Sequence, residues 1–178
     1  MTTPADIRRM LTRYNVQGVA DVALIYEKFV PTRQALITLA RPNFLRDNLR
    51  ELTNATLSGQ VFTSEEVDYS ETGPPPPELG RGPHAGVDNL GKNVVLSYFP
   101  SGTSPRSIQT ISEKYSLAGS FDVSVRSVKS GDGPKDPVVM LVKLQSESEA
   151  HRMVRDLHMT NPLPWFRWSS DIQARIIY

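Results

Sequence analysis

The stretch PADIRRMLTRYNVQGVADV, Pro4 to Val22, returns as PRSIQTISEKYSLAGSFDV, Pro105 to Val123. At this constant offset of 101 residues six positions are identical: Pro4/Pro105, Ile7/Ile108, Tyr14/Tyr115, Gly18/Gly119, Asp21/Asp122 and Val22/Val123. Average residue usage would give about one. Thr3/Ser104, Met10/Ile111, Arg13/Lys114 and Val16/Leu117 add conservative pairs. The pattern reads as a duplication whose two copies share one fold.

The shared stretch has a physical reading. Thr3 and Ser104 can cap a helix, and the proline that follows suits its first turn. Ile7, Met10, Leu11 and Tyr14 fall at i, i+3, i+4 and i+7, one face of a helix, and Ile108, Ile111 and Tyr115 repeat the stripe. Gly18 and Gly119 end or follow it. Alternation then predicts a strand, Asp21 to Tyr26 in one copy and Asp122 to Val128 in the other. In the second copy Val123 and Val125 should face inward, Ser124 and Arg126 outward. Gly131-Asp132-Gly133-Pro134 is a turn. Val138 to Leu144 is β-prone. Ser146 to Met159 is helical with Ala150, Met153, Val154 and Leu157 inward, and Ile172 to Tyr178 is a last strand. With Asn93 to Phe99 upstream, the second half reads strand–helix–strand–strand–helix–strand, the split βαβ arrangement. The first half gives a helix (Pro4–Tyr14), strands Ala20–Phe29 and Gln34–Ala40, a helix (Asn43–Thr53) and a strand (Gln60–Glu66). It has no counterpart of the opening strand.

Between the halves, Ser70 to Gly91 holds five prolines and five glycines, including Pro74-Pro75-Pro76-Pro77. Such a stretch favours extended conformations and offers no regular apolar face. The chain therefore divides into residues 1–67, a linker 68–91, and residues 92–178. Basic and acidic residues number 8 and 7 in the first part, 1 and 4 in the linker, and 11 and 8 in the last. A net charge of +1 over 178 residues does not support wholesale polyanion binding. The chain has no cysteine, which excludes disulfides, thiolate metal sites and cysteine nucleophiles and suits a reducing compartment. No apolar run approaches 18 residues. The Arg-bearing start (Arg8, Arg9, Arg13) resembles a mitochondrial presequence, but Asp6 argues for a structural helix.

The second half resembles an RNA recognition motif (RRM). Val94-Val95-Leu96-Ser97-Tyr98-Phe99-Pro100 resembles the family's first-strand hexamer with its trailing proline. Pro137 to Leu144 sits where the third-strand octamer belongs, and Ser146 to Met159, with Ala150, resembles the second helix. The resemblance covers 92–178 and, more weakly, 3–67. It implies an α+β fold of two ferredoxin-like (βαββαβ) sandwiches, the first lacking its opening strand. Three explanations of that gap are open: sequence upstream of Met1, which is preferred, a strand donated by a partner, or rearrangement. Family members stack bases on aromatic side chains of the two central strands. Here the matching positions are Val95, Val139 and Leu141, all aliphatic, and the octamer's opening basic residue and glycine fall on Pro137 and Val138. Repeat one has no aromatic on its third strand either.

An aliphatic outer face suits a covered surface better than a base platform. The expected function is a non-catalytic structural or assembly component of a ribonucleoprotein particle, with RNA and protein subunits as partners, in a mitochondrial ribosome or translation apparatus or elsewhere inside the cell. A single-stranded RNA-binding regulator using repeat two is one alternative, and a protein-interaction module without RNA is another. Trp165-Phe166-Arg167-Trp168 is the densest aromatic–basic cluster and the first choice of contact site, although such rings also cap open core ends. Arg126, Lys143 and Arg175 are candidates for a basic strip on the outer sheet face. His151 and His158 share a helix side without further ligands, so they read as a solvated pair. No metal site, cofactor motif or catalytic constellation is read in the chain.

Overall fold

The structure, a computed structural model, describes residues 2–27, 29–67, 90–129, 137–161 and 171–178. The chain divides into two compact units, Met1–Gly86 and Val87–Tyr178. The proline tract lies outside the described residues.

The first unit opens with α1 (Pro4–Arg13). Thr3 is extended, its hydroxyl accepts the Asp6 N–H at 3.2 Å, and Asp6 Oδ2 accepts the Thr3 N–H at 3.0 Å. This reciprocal box satisfies two helix-end donors and fixes where the helix starts. The Thr3 amide also holds the Asp6 carboxyl below its ordinary pKa. Arg8 pairs with Asp21 and Arg9 with Asp6, so both cations belong to the folded surface. Ile7, Met10 and Leu11 are buried where α1 lies against β1 (Val19–Glu27). β1 pairs antiparallel with β2 (Val30–Leu39). A turn of 3-10 helix (Pro42–Phe44) leads into α2 (Leu45–Glu51), and a small hairpin, β3 (Thr56–Leu57) with β4 (Gln60–Val61), follows. The expected strand Gln60–Glu66 is thus reduced to two residues, and 62–67 carries no strand. A strand needs a neighbour for its backbone groups. In this topology the neighbour would be the opening strand.

The second unit contains β5 (Asn93–Phe99), a 3-10 turn (Pro105–Ile108), α3 (Gln109–Ser112), α4 (Phe121–Ser124), β6 (Val125–Lys129), β7 (Val138–Lys143), α5 (Glu147–Leu157) and β8 (Gln173–Ile177). The sheet order is β6-β7-β5-β8, antiparallel throughout. This is the strand order of the split βαβ arrangement, with the opening strand central. Val94, Leu96, Met140, Val142, Ala174 and Ile176 face the helices and pack with Ile108, Ile111, Tyr115, Ala150, Met153 and Leu157 in one core.

Two local expectations fail. The first helix of this unit is not one continuous helix but a 3-10 turn followed by four α residues. Its N-cap explains why. Ser107 stands where Asp6 stands in the first copy, and the Ser104 hydroxyl caps no backbone N–H and meets the Ser107 hydroxyl at 3.3 Å. The apolar stripe is still buried. The second strand begins at Val125 rather than Asp122, because Val123 and Ser124 donate their amides to Ser120 O and close a helical turn. Val123 therefore points to solvent and Ser124 inward, the reverse of the alternation, while Val125 and Arg126 lie as expected. His158 is also not simply solvated: its Nδ1 accepts the Ala174 N–H at 3.3 Å.

The duplication shows in the ties between elements. The Tyr14 hydroxyl accepts the Thr56 N–H at 3.0 Å, and the Tyr115 hydroxyl donates to Asp156 Oδ2 at 3.3 Å. Each tyrosine follows its unit's first helix; Tyr14 reaches β3, just after α2, and Tyr115 reaches the last turn of α5. Asn48 of α2 grips the Gln17 backbone with both amide atoms at 2.8 Å, and Glu149, its counterpart at the same offset, accepts the Ser116 N–H at 2.9 Å. That amide holds the Glu149 carboxyl below its ordinary pKa.

Gly18 and Gly119 have diverged. Gly18 has φ +68°, and a Cβ there would clash with the edge of the Phe44 ring, whereas a Cβ on Gly119 would meet only ordinary contacts. Gly18→Ala should lower stability by about 1–3 kcal/mol, and Gly119→Ala should stay within about 0.5 kcal/mol, in urea unfolding. The paired tyrosines differ in a second measurable way. Bonds from Thr56 lower the Tyr14 phenol, while burial and the Asp156 charge raise that of Tyr115. In a spectrophotometric titration Tyr14→Phe should remove a component below the ordinary tyrosine range near 10, and Tyr115→Phe one above it.

Candidate nucleic-acid interface

The face of the four-stranded sheet turned away from the helices is where the sequence places its contact residues. Register builds it row by row. Arg126 of β6 lies opposite Leu141 of β7, Leu141 opposite Val95 of β5, and Val95 opposite Arg175 of β8. One row across the sheet therefore reads arginine, leucine, valine, arginine. The adjacent row holds Lys143, Asn93 and Ile177. At about 4.8 Å per strand the two arginine backbones stand roughly 14 Å apart.

The three cations thus do not form a continuous strip. Arg126 and Arg175 stand on the two edge strands with two aliphatic side chains between them, and Lys143 lies one row away. Arg126 is exposed. Arg175 is half-buried and donates to Gln173 Oε1 at 2.7 Å. Lys143 is half-buried as well.

The centre of this face is closed. Val95 is 3%, Leu141 6% and Val139 8% exposed, and Ile177 is fully buried. None of these four belongs to the helix-side core. The described helices of this unit pack on the opposite face. Trp165, Phe166, Arg167 and Trp168 lie outside the described residues.

One aromatic of the first-strand hexamer is exposed, a placement the hexamer's likeness alone does not give. Tyr98 sits at the end of β5 with φ +71° and 46% exposure. The register slips between Leu96 and Phe99, so Phe99 joins Leu96 in the core and Tyr98 turns to solvent. Two adjacent aromatics ahead of a proline carried the signal, since an unbroken strand would have put one on each face.

No family model matches the chain, and no curated protein does. Solved structures resembling it include a Sxl-lethal protein–RNA complex (10% identity, TM-score 0.39, covering 98% of this chain and 92% of that one). RNA recognition domains 1 and 2 of Sex-lethal from Drosophila melanogaster also match (10% identity, TM-score 0.35, covering 99% and 92%). So do the first two RRM domains of the yeast poly(U)-binding protein Pub1 (8% identity, TM-score 0.38, covering 98% and 92%). Likeness at this level adds nothing to what the strand order already shows. The chain has a tandem RRM-like α+β fold, complete in the second unit and short of its opening strand in the first.

Burial of the outer face has a direct test. On an open platform Val95→Phe would restore a ring at no cost. At a position 3% exposed it overpacks, and it should destabilise the second unit by about 1–3 kcal/mol in urea unfolding.

Proposed function

We propose that this protein is a non-catalytic structural module of a ribonucleoprotein, held there by protein contacts rather than by base stacking. The observation that carries the reading is the closed aliphatic centre of the second sheet, Val95, Val139 and Leu141, at the positions where the resemblance expects stacking rings. A base stacked on an aromatic contributes about 1–3 kcal/mol, so three missing rings remove most single-strand affinity. What remains for RNA is charge. Arg126, Lys143 and Arg175 rim the face, and contacts of that kind follow the phosphate backbone and weaken with salt.

A single-stranded RNA-binding regulator is the second reading, and exposed Tyr98 is the observation that favours it. Titration of a labelled 20-nucleotide single strand at 50 and 200 mM salt separates the two. The structural module predicts weak binding at 50 mM that is lost at 200 mM, together with co-purification of the protein in a large particle. Micromolar or tighter binding that survives 200 mM salt, and is abolished by Tyr98→Ala or by Trp165→Ala with Trp168→Ala, would overturn it in favour of the second.

A further inference from the structure

The chain has two places where a hydroxyl side chain precedes proline, Thr3-Pro4 and Ser104-Pro105. They are the same position of the duplicated stretch, 101 residues apart. The structure treats them differently. The Thr3 hydroxyl is engaged twice: it donates to Asp6 Oδ2 at 2.8 Å and accepts the Asp6 N–H at 3.2 Å. Thr3 is also half-buried. Ser104 is exposed, and its hydroxyl holds no backbone N–H.

The surroundings of Ser104 are open. It follows β5 by a short loop, in which Ser101 and Gly102 are exposed, and Arg106 beyond it is exposed as well. A Cβ on Gly102 would meet nothing within 4 Å. Thr103 is buried with its hydroxyl turned inward, so the loop is anchored one residue ahead of Ser104. Ser104 itself has φ −88° and ψ 157°. That is the extended backbone a following proline imposes. The chain after it is held by a 3-10 turn, Pro105–Ile108, with no side-chain cap. Such turns have poor hydrogen-bond geometry and open at small cost.

We infer that Ser104 is a phosphorylation site for a proline-directed serine/threonine kinase, and that its copy Thr3 is not. Proline lacks an N–H, so a kinase pocket with no acceptor beyond the hydroxyl residue takes it without penalty, whereas any other residue there buries an unpaired donor. Thr3 carries the same two-residue signal, but its hydroxyl must first leave both bonds of the capping box. In the transfer the Ser104 Oγ–phosphorus bond forms and the bond from the γ-phosphorus of ATP to the β–γ bridging oxygen breaks. ADP leaves, and the hydroxyl proton passes to the catalytic aspartate of the kinase. The phosphate brings about −1.5 to −2 charges to this loop. The Ser107 hydroxyl, 3.3 Å from Ser104 Oγ, is a donor within its reach. The inference stands apart from whether the second unit touches RNA.

The test incubates the folded full chain with a proline-directed kinase of the mitogen-activated class and magnesium ATP, and locates phosphate by peptide mass spectrometry. The expected result is one phosphate, on Ser104, with Thr3 modified at least tenfold more slowly. Ser104→Ala and Pro105→Ala should each abolish it. Ser104→Ala should leave the urea midpoint unchanged, which shows that the loss is not misfolding. Three results would overturn the inference: no phosphate on the folded chain, Thr3 modified as fast as Ser104, or Ser104 modification that persists in Pro105→Ala.

Discussion

The pairing of one central strand on both of its edges governs this molecule. β5 is hydrogen-bonded to β7 on one side and β8 on the other, and its side chains feed the core from the middle of the sheet. With that strand in place, β6 and β8 are ordinary edges and α5 has a flat surface to lie on. Without it, the same sequence pattern yields less. The first unit has the helix, the hairpin and the second helix in the same order, but among the described residues its larger sheet stops at two strands, and 62–67 forms no strand. Backbone groups that cannot pair within a sheet must face water, and a two-stranded ribbon buries little apolar surface.

Side-chain chemistry on the outer face then decides what the completed sheet is for. The row Arg126, Leu141, Val95, Arg175 keeps charge at the rim and removes polarity and rings from the centre. Burial of that centre is favourable at roughly 25 cal/mol per Å² of apolar surface, whereas a stacking platform must leave its rings accessible. One face cannot do both. Among the described residues Tyr98 is an exposed ring at the end of β5, while the positions where the resemblance expects rings are aliphatic.

Much of the architecture was legible because its periods are clean. The 3.6-residue stripe of Ile7, Met10 and Leu11 and that of Ala150, Met153 and Leu157 fix two helices and their buried faces. The strands Asn93–Phe99 and Val138–Lys143 follow from β-branched runs. The order of the strands came from the family resemblance, since no periodicity states which strand lies in the middle. The misses have local causes. Alternation at Asp122–Val125 is compatible with a strand, but the backbone bonds to Ser120 O outweigh it. The Tyr98 bulge is set by the need to bury Phe99, which is a tertiary demand. The register places Arg126, Lys143 and Arg175 on the outer face as expected, but spacing along a strand does not state which neighbours separate two charges across the sheet. The Trp165–Trp168 cluster remains a reading of composition alone.

The ties between helix and turn show what the duplication has kept. Tyr14 and Tyr115 occupy the same place, yet one hydroxyl accepts a backbone amide and the other donates to a carboxylate. Asn48 and Glu149 each hold the chain that leaves the first helix, one through a neutral amide pair and the other through a carboxylate. In each case the link between elements persists while the donor and acceptor change. Geometry is therefore the retained property, and the chemistry at each tie is free to vary so long as every buried polar group finds a partner. The outer sheet face follows the same logic. A scaffold held by such ties keeps its shape with aliphatic side chains on its far side at the positions where the resemblance expects rings.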